Sequence, residues 1–317
     1  MIDVYRANQP GSTMANKDDE AGLDIARKLR QDIARHFPGA AGSPIQAVMA
    51  HLNGRHAEAA RGYADHPSQP LALFGAALLA FQQGQLPQAF RLLCVVTDKA
   101  PAFAPGWYNL GLVLQLLGNA GEALECQDKA LALDPKLVEA HNQRGVALLD
   151  LGRHPEAVAA FGDAIRYAGT GHEARFNRAI ALLLTGDWER GWPEYESRHE
   201  VMWLPKPIIP PHVPAWDGSP LEGRHLLVWC EQGYGDTLQM CRFLPALARM
   251  GTVTAVVPQR LQRLLAAAFP DVGIITTGND YPERMDVQCG FMSLPALLKV
   301  TPDTAWEGPY LATEAAA

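Results

Sequence analysis

Residues 105–135 read PGWYNLGLVLQLLGNAGEALECQDKALALDP. Leu110, Leu114 and Leu117 recur at helical spacing. Gly118 then ends a first helix, because glycine enters the left-handed region without a Cβ penalty. A second apolar-periodic run follows and stops at Pro135, which cannot continue a helix. The small residues Gly111 and Ala123 let the two helices approach closely. This is a helical hairpin with an apolar face too large to bury alone, so it needs stacked neighbours.

The same signals recur every 34 residues. Glycines stand at Gly84, Gly118, Gly152 and Gly186, and alanines at Ala89, Ala123 and Ala157. Ala77, Gly111, Gly145 and Ala179 form a third register. Three registers in phase define a tandem array. Units start near residues 70, 104, 138 and 172. A shorter, degenerate unit is expected at about 40–69, around Gly54, Ala59 and Tyr63, with a capping helix over 22–36.

Composition fits this reading. Of 317 residues, 48% are apolar and 19% charged, an ordinary globular balance. The net charge of −7 argues against a general nucleic-acid binder, which needs a basic face. No apolar run approaches the roughly 20 residues of a membrane span, and the polar N-terminus lacks a signal peptide's apolar segment. Five cysteines without CxxC spacing, Cys94, Cys126, Cys230, Cys241 and Cys289, read as reduced thiols of a cytoplasmic protein with no metal and no cofactor.

Trp107, Leu110, Gly111, Ala123, Ala130 and Pro135, with their counterparts in the neighbouring units, resemble the tetratricopeptide repeat family. The resemblance implies a superhelix whose first helices line a groove for a protein or peptide. Asn109, Gln143 and Asn177 share one groove register. Amides donate and accept, so they suit an extended backbone. In the similar repeat domain of protein O-linked N-acetylglucosamine transferase, an asparagine ladder at this register grips substrate chains. Bonds to neighbouring helices are the other reading of these amides. Arg144 and Arg178 stand where the family has leucine. They either add positive charge to the groove or pair internally with Asp150 or Glu173. The last unit, GDWERGWPEYESR, is rich in Trp and Tyr and is expected to pack on the following domain.

From 201 to 223 the chain turns proline-rich, with Pro205, Pro207, Pro210, Pro211, Pro214 and Pro220. This strap is extended backbone, pinned by Trp203 and Trp216. Beyond it, strand and helix alternate: HLLVWC, a glycine loop, a helix over 237–250, TVTAVVP, another helix, VGIITTG, the strand MDVQCG and the helix MSLPALLKV. That rhythm predicts a small α/β domain with a mostly parallel sheet. The expected division is a disordered 1–17, the capped array over 18–200, the strap over 201–223 and the α/β half-domain over 224–317.

Ligands of such sheets bind beyond the carboxyl ends of the strands, which points to residues 231–236. Gly233 and Gly235 leave amides free to face outward near a helix start, which suits an anion. A plain turn with Asp236 as helix cap explains the same residues. The string WDGSPLEGRHLLVWCEQGYGDTLQMCRFLPALA looks like a bacterial family that joins tetratricopeptide repeats to a glycosyltransferase of the heptosyltransferase type. The shared residues are Gly235-Asp236 and Leu244-Pro245. The resemblance implies half of a GT-B fold, with Asp236 as the base for an acceptor hydroxyl and Glu231, Gln232, Gly233, Gly235 and Thr237 around it. It also implies a sugar or nucleotide-sugar ligand; either the donor half lies outside this sequence or this is a short form that has lost it. Two functions follow: a protein-binding scaffold with an incomplete transferase domain, or a glycosyltransferase active only with a separate donor half.

Overall fold

The computed structural model describes residues 37, 43–168, 171–201, 213–276, 281–305 and 308–311. The expected capping helix, the disordered N-terminus and Trp203 fall outside these residues. The chain forms two compact units, 1–170 and 171–317.

The first unit is a stack of helical hairpins. Helices α1 (Ser43–Leu52) and α2 (His56–Ala64) form the short first hairpin. Then come α3 (Pro70–Gln82) with α4 (Leu86–Lys99), α5 (Ala104–Leu116) with α6 (Ala120–Leu133), and α7 (Val138–Asp150) with α8 (His154–Ala168). Each turn carries a left-handed glycine, at φ 71° for Gly54, 73° for Gly84, 84° for Gly118 and 72° for Gly152. Small residues set the helix spacing: a Cβ on Gly145 would lie 2.4 Å from the Phe161 ring. The second helices α2, α4 and α6 also pack on the next first helices, α3, α5 and α7. First helices meet directly at α1–α3 and α5–α7. Buried His51 ties the first hairpin in, its ring bonded to Tyr63 Oη at 3.1 Å and Gln82 Oε1 at 2.8 Å.

The second unit begins with one more hairpin, α9 (His172–Leu184) and α10 (Trp188–Tyr195), followed by a 3-10 turn at Glu196–Glu200. The sheet follows: β1 (His225–Trp229), β2 (Thr252–Val257), β3 (Gly273–Thr276) and β4 (Val287–Gly290). All pairings are parallel and the order is β3-β2-β1-β4. Residues 214–216 run along β4 through Trp216 N to Gln288 O (2.8 Å) and Gln288 N to Pro214 O (3.0 Å), covering that edge.

Between β1 and β2 the structure departs from the single helix expected over 237–250. It forms α11 (Tyr234–Met240), a 3-10 turn at Cys241–Phe243 and α12 (Leu244–Met250). Pro245 is the cause: it lacks an N–H and its ring clashes with the carbonyl four residues earlier. Helix α13 (Gln259–Ala268) joins β2 to β3, and Pro295 sits in the first turn of the short α14 (Leu294–Leu297).

Strand alternation sorts the sheet's two faces. Leu226, Val228, Val253, Ala255, Val257, Val287 and Cys289 share one core with Met240, Leu244, Leu247, Leu261 and Leu265 of the helices. Phe176, Ala179 and Tyr195 of the last hairpin belong to that core, with Trp192 packed against it. Phe176, Trp192 and Tyr195 of the hairpin thus pack against the sheet layer. Leu227, Trp229 and Val256 face the other way, under Tyr281 and Met285.

Candidate functional site

Strand β1 has β2 on one side and β4 on the other, so the chain reverses its direction of travel across the sheet between β1 and β4. Such a switch point opens a crevice beyond the strand ends, the usual ligand position. Residues 231–237 follow β1 there, and residues 291–293 follow β4.

The glycine loop is held from within. Gly233, in extended backbone, precedes the first residue of α11. Its N–H donates to Asp236 Oδ2 at 3.0 Å. The Thr237 hydroxyl donates to Gly233 O at 3.1 Å. Asp236 therefore caps the helix that carries it. It is half-buried, Tyr234 beside it is exposed, and a Cβ on Gly235 would meet nothing. Gln232 donates to the Tyr195 hydroxyl of the last hairpin at 3.1 Å.

Glu231 turns inward and is 5% exposed. Its Oε1 accepts from Arg198 Nη2 at 2.7 Å and from Met292 N at 3.1 Å. Gly290 makes room for it, because a Cβ there would stand 2.7 Å from Glu231 Oε1. Arg198, 1% exposed, comes from the 3-10 turn after α10. Its Nη2 also donates to Ser293 Oγ at 2.7 Å, and its Nη1 to Glu196 Oε1 at 2.6 Å. Ser293 Oγ in turn donates to Glu196 Oε2 at 2.9 Å. His199 Nε2 lies 3.7 Å from Glu196 and 3.8 Å from Glu231. The last hairpin thus inserts a guanidinium into the switch-point crevice, where two carboxylates and a serine fix it.

The charges respond accordingly. Burial alone would raise the Glu196 carboxyl pKa. The nearby His199, the charge and hydrogen bond of Arg198 and the bond from Ser293 outweigh burial and hold it below the usual range. Burial works against the Arg198 charge, but Glu231 and Glu196 overcome it and raise its pKa. The Cys289 thiol beneath is pushed up, first by burial and then by the same two carboxylates. All five cysteines are free.

The groove candidates separate. Asn109, Gln143 and Arg144 lie on α5 and α7 of the first unit, and Asn177 and Arg178 on α9 of the second. Asn109 is 7% exposed, and its amide donates to Pro105 O of its own helix at 2.8 Å. Gln143 and Asn177 are half-buried. The arginines are paired, but not with the residues expected. Arg144 bonds Asp128 at 2.7 Å, and Arg178 makes a two-pronged pair with Glu194 at 2.7 and 2.6 Å. Asp150 accepts instead from Gln115. Each true partner lies on a second helix 16 residues away, a tertiary separation that local spacing does not show.

Sequence reasoning missed Arg198, Glu196, Ser293 and Tyr195. The string ESRHE looks like a solvated charge run. Nothing local marks the middle residue as buried.

The fold defines the class: helical tetratricopeptide-type repeats with a small four-stranded parallel sheet after them. Tetratricopeptide repeat family models match residues 103–170 and 142–199. Protein FlbA of Caulobacter vibrioides is 32% identical over 194 residues, 59% of this chain and 33% of that protein. The chain thus spans about a third of the length of this curated relative. Among solved structures, MamA aligns over 49% of this chain and 92% of its own, at 18% identity and a TM-score of 0.45. A thermophilic TPR protein of Thermus thermophilus aligns over 50% and 90%, at 22% identity and a TM-score of 0.42. YrrB, described as a TPR protein with an unusual peptide-binding site, aligns over 56% and 93%, at 18% and 0.45. Among the described residues, no helix is long and apolar enough to cross a membrane.

Proposed function

We propose that the chain is a scaffold: its repeats hold a partner polypeptide, and its sheet layer is a docking or acceptor-recognition element of glycosyltransferase-like, heptosyltransferase-type ancestry. The binding role falls to residues 18–200, the strap to 201–223 and the half-domain to 224–317. One observation carries the choice of scaffold over enzyme. The crevice at the β1/β4 switch point is filled by the protein's own Arg198, locked to Glu231, Glu196 and Ser293. A ligand entering there must displace a buried ion pair, and breaking such a pair costs about 3–5 kcal/mol.

The repeats offer exposed side chains for a partner, and Gln143 and Asn177 are half-buried. Asn109 gives an amide hydrogen to Pro105 O of its own helix. Arg144 and Arg178, neutralised by Asp128 and Glu194, shape the wall rather than charge it.

The transferase alternative keeps one supporting observation: half-buried Asp236 lies beside exposed Tyr234 and open Gly235, outside the Arg198 cluster. In that reading Asp236 takes the acceptor's hydroxyl proton, with Glu231, Gln232, Gly233 and Thr237 shaping the loop, and a nucleotide sugar is the donor. Thermal melts of the full chain with a panel of uridine, guanosine, cytidine and adenosine nucleotide sugars separate the two. The scaffold reading expects no shift with any of them. Saturable stabilisation by one at micromolar concentration overturns it.

A further inference from the structure

The first unit segregates its charge. Helices α1, α3 and α5, of 10, 13 and 13 residues, contain no Asp, Glu, Lys or Arg. Their one histidine, His51, is buried, and burial lowers its pKa, so it is neutral at pH 7. The second helices α2, α4, α6 and α8 carry the charges instead, among them Glu58, Arg91, Glu122 and Asp163. Only at α7 do charges return to a first helix. There Arg144 is tied to Asp128, and Asp150 is engaged by Gln115.

The uncharged row is not a sealed core. Leu116 is 55% exposed, and Leu117 beside it is 40% exposed. Phe81, Leu112, Val146 and Leu149 are half-buried. Leu112 and Val146 occupy equivalent places 34 residues apart on helices that touch, as do Gln115 and Leu149. Gln115, between these leucines, has an Oε1 shielded from water and without a hydrogen-bond donor among the described residues. The surface these side chains present is therefore apolar.

We infer that this row takes a partner segment whose contacting face is uncharged and presents large aliphatic or aromatic side chains. The inference rests on the scaffold reading above and names its partner's chemistry. A charged side chain laid on α3 and α5 would lose water with no counter-charge to replace it. Capture of an acidic tail or a terminal carboxylate needs a free Lys or Arg on the first helices. α1, α3 and α5 have none, and Arg144 is neutralised.

The test is selection of 12-residue peptides from a random displayed library on the purified full chain, followed by fluorescence anisotropy with the selected peptides. The expected peptides are uncharged and rich in Leu, Ile, Phe or Met at their contact positions. Their affinity is expected to change less than about twofold between about 50 and about 500 mM NaCl. Leu116→Glu is expected to weaken binding at least about tenfold, the scale of one lost buried leucine. Because Leu116 is exposed, the variant keeps its fold, which circular dichroism checks. Selected peptides with a charged consensus and salt-sensitive affinity overturn the inference while leaving the scaffold reading intact. Selected peptides indifferent to Leu116→Glu also overturn it. Failure to select any peptide overturns both.

Discussion

Replacing Arg198 with methionine removes the guanidinium while keeping most of the side chain's length. Glu231 then stays buried, 5% exposed, with only the Met292 N–H as a strong partner. Ser293 Oγ loses its donor and keeps Glu196 as acceptor. Removing one member of a buried pair costs about 3–5 kcal/mol, most of it the uncompensated charge left behind. With a urea dependence of about 2 kcal/mol per molar, the midpoint falls by about 2 M. Tryptophan fluorescence suits the measurement, since six of the seven tryptophans lie beyond residue 170 and only Trp107 lies before it. Two controls sharpen it. Arg190→Met breaks an exposed pair with Asp187 and should cost under about 1 kcal/mol. Arg198→Met combined with Glu231→Leu removes both charges and should recover much of the loss, because apolar replacement of a whole buried pair is often neutral. An Arg198→Met midpoint within about 0.3 M of the parent would show that the buried pair does not hold this unit together. A double variant no better than the single one would contradict the cost assigned to the uncompensated charge.

Two further outcomes follow from the first unit. Burial lowers the His51 pKa, the hydrogen bond with Gln82 partly opposing it and His56 adding to it. The unfolded chain, with an imidazole near about 6.5, binds that proton more readily. The stability is therefore whole above that value and is lost as pH falls below it toward the folded-state pKa. Melting followed by circular dichroism should show a steeper decline from pH 7 to 5 for the parent than for His51→Gln. Gly145→Ala forces a Cβ to 2.4 Å from the fully buried Phe161 ring and should cost about 1–3 kcal/mol in urea unfolding. Gly121→Ala, on α6 with nothing within 4 Å, should be neutral or slightly stabilising.

The repeats were legible because their determinants are local and periodic. The glycines at 84, 118, 152 and 186 mark turns that need positive φ, and all four adopt it. Gly111 and Gly145 mark contacts that leave no room for a methyl group. Strands of the second unit were legible as short apolar runs alternating with helices. Their order was not, since nothing near residues 287–290 says that β4 pairs with β1 rather than β3. The Arg198 cluster was invisible for the same reason. Its bonds to Glu231 and Ser293 span 33 and 95 residues, and a buried arginine looks like any other in a charged string. The groove arginines show the limit most sharply. Internal pairing was foreseeable, but the partners Asp128 and Glu194 depend on how one helix lies across another.

Hydrogen–deuterium exchange on the full chain, with and without a saturating uncharged peptide from the library selection, locates the binding surface. Added protection is expected over 71–82, 105–117 and 138–150, with residues 231–237 unchanged. Protection confined to 231–237, or protection there induced by a nucleotide sugar alone, would contradict that expectation.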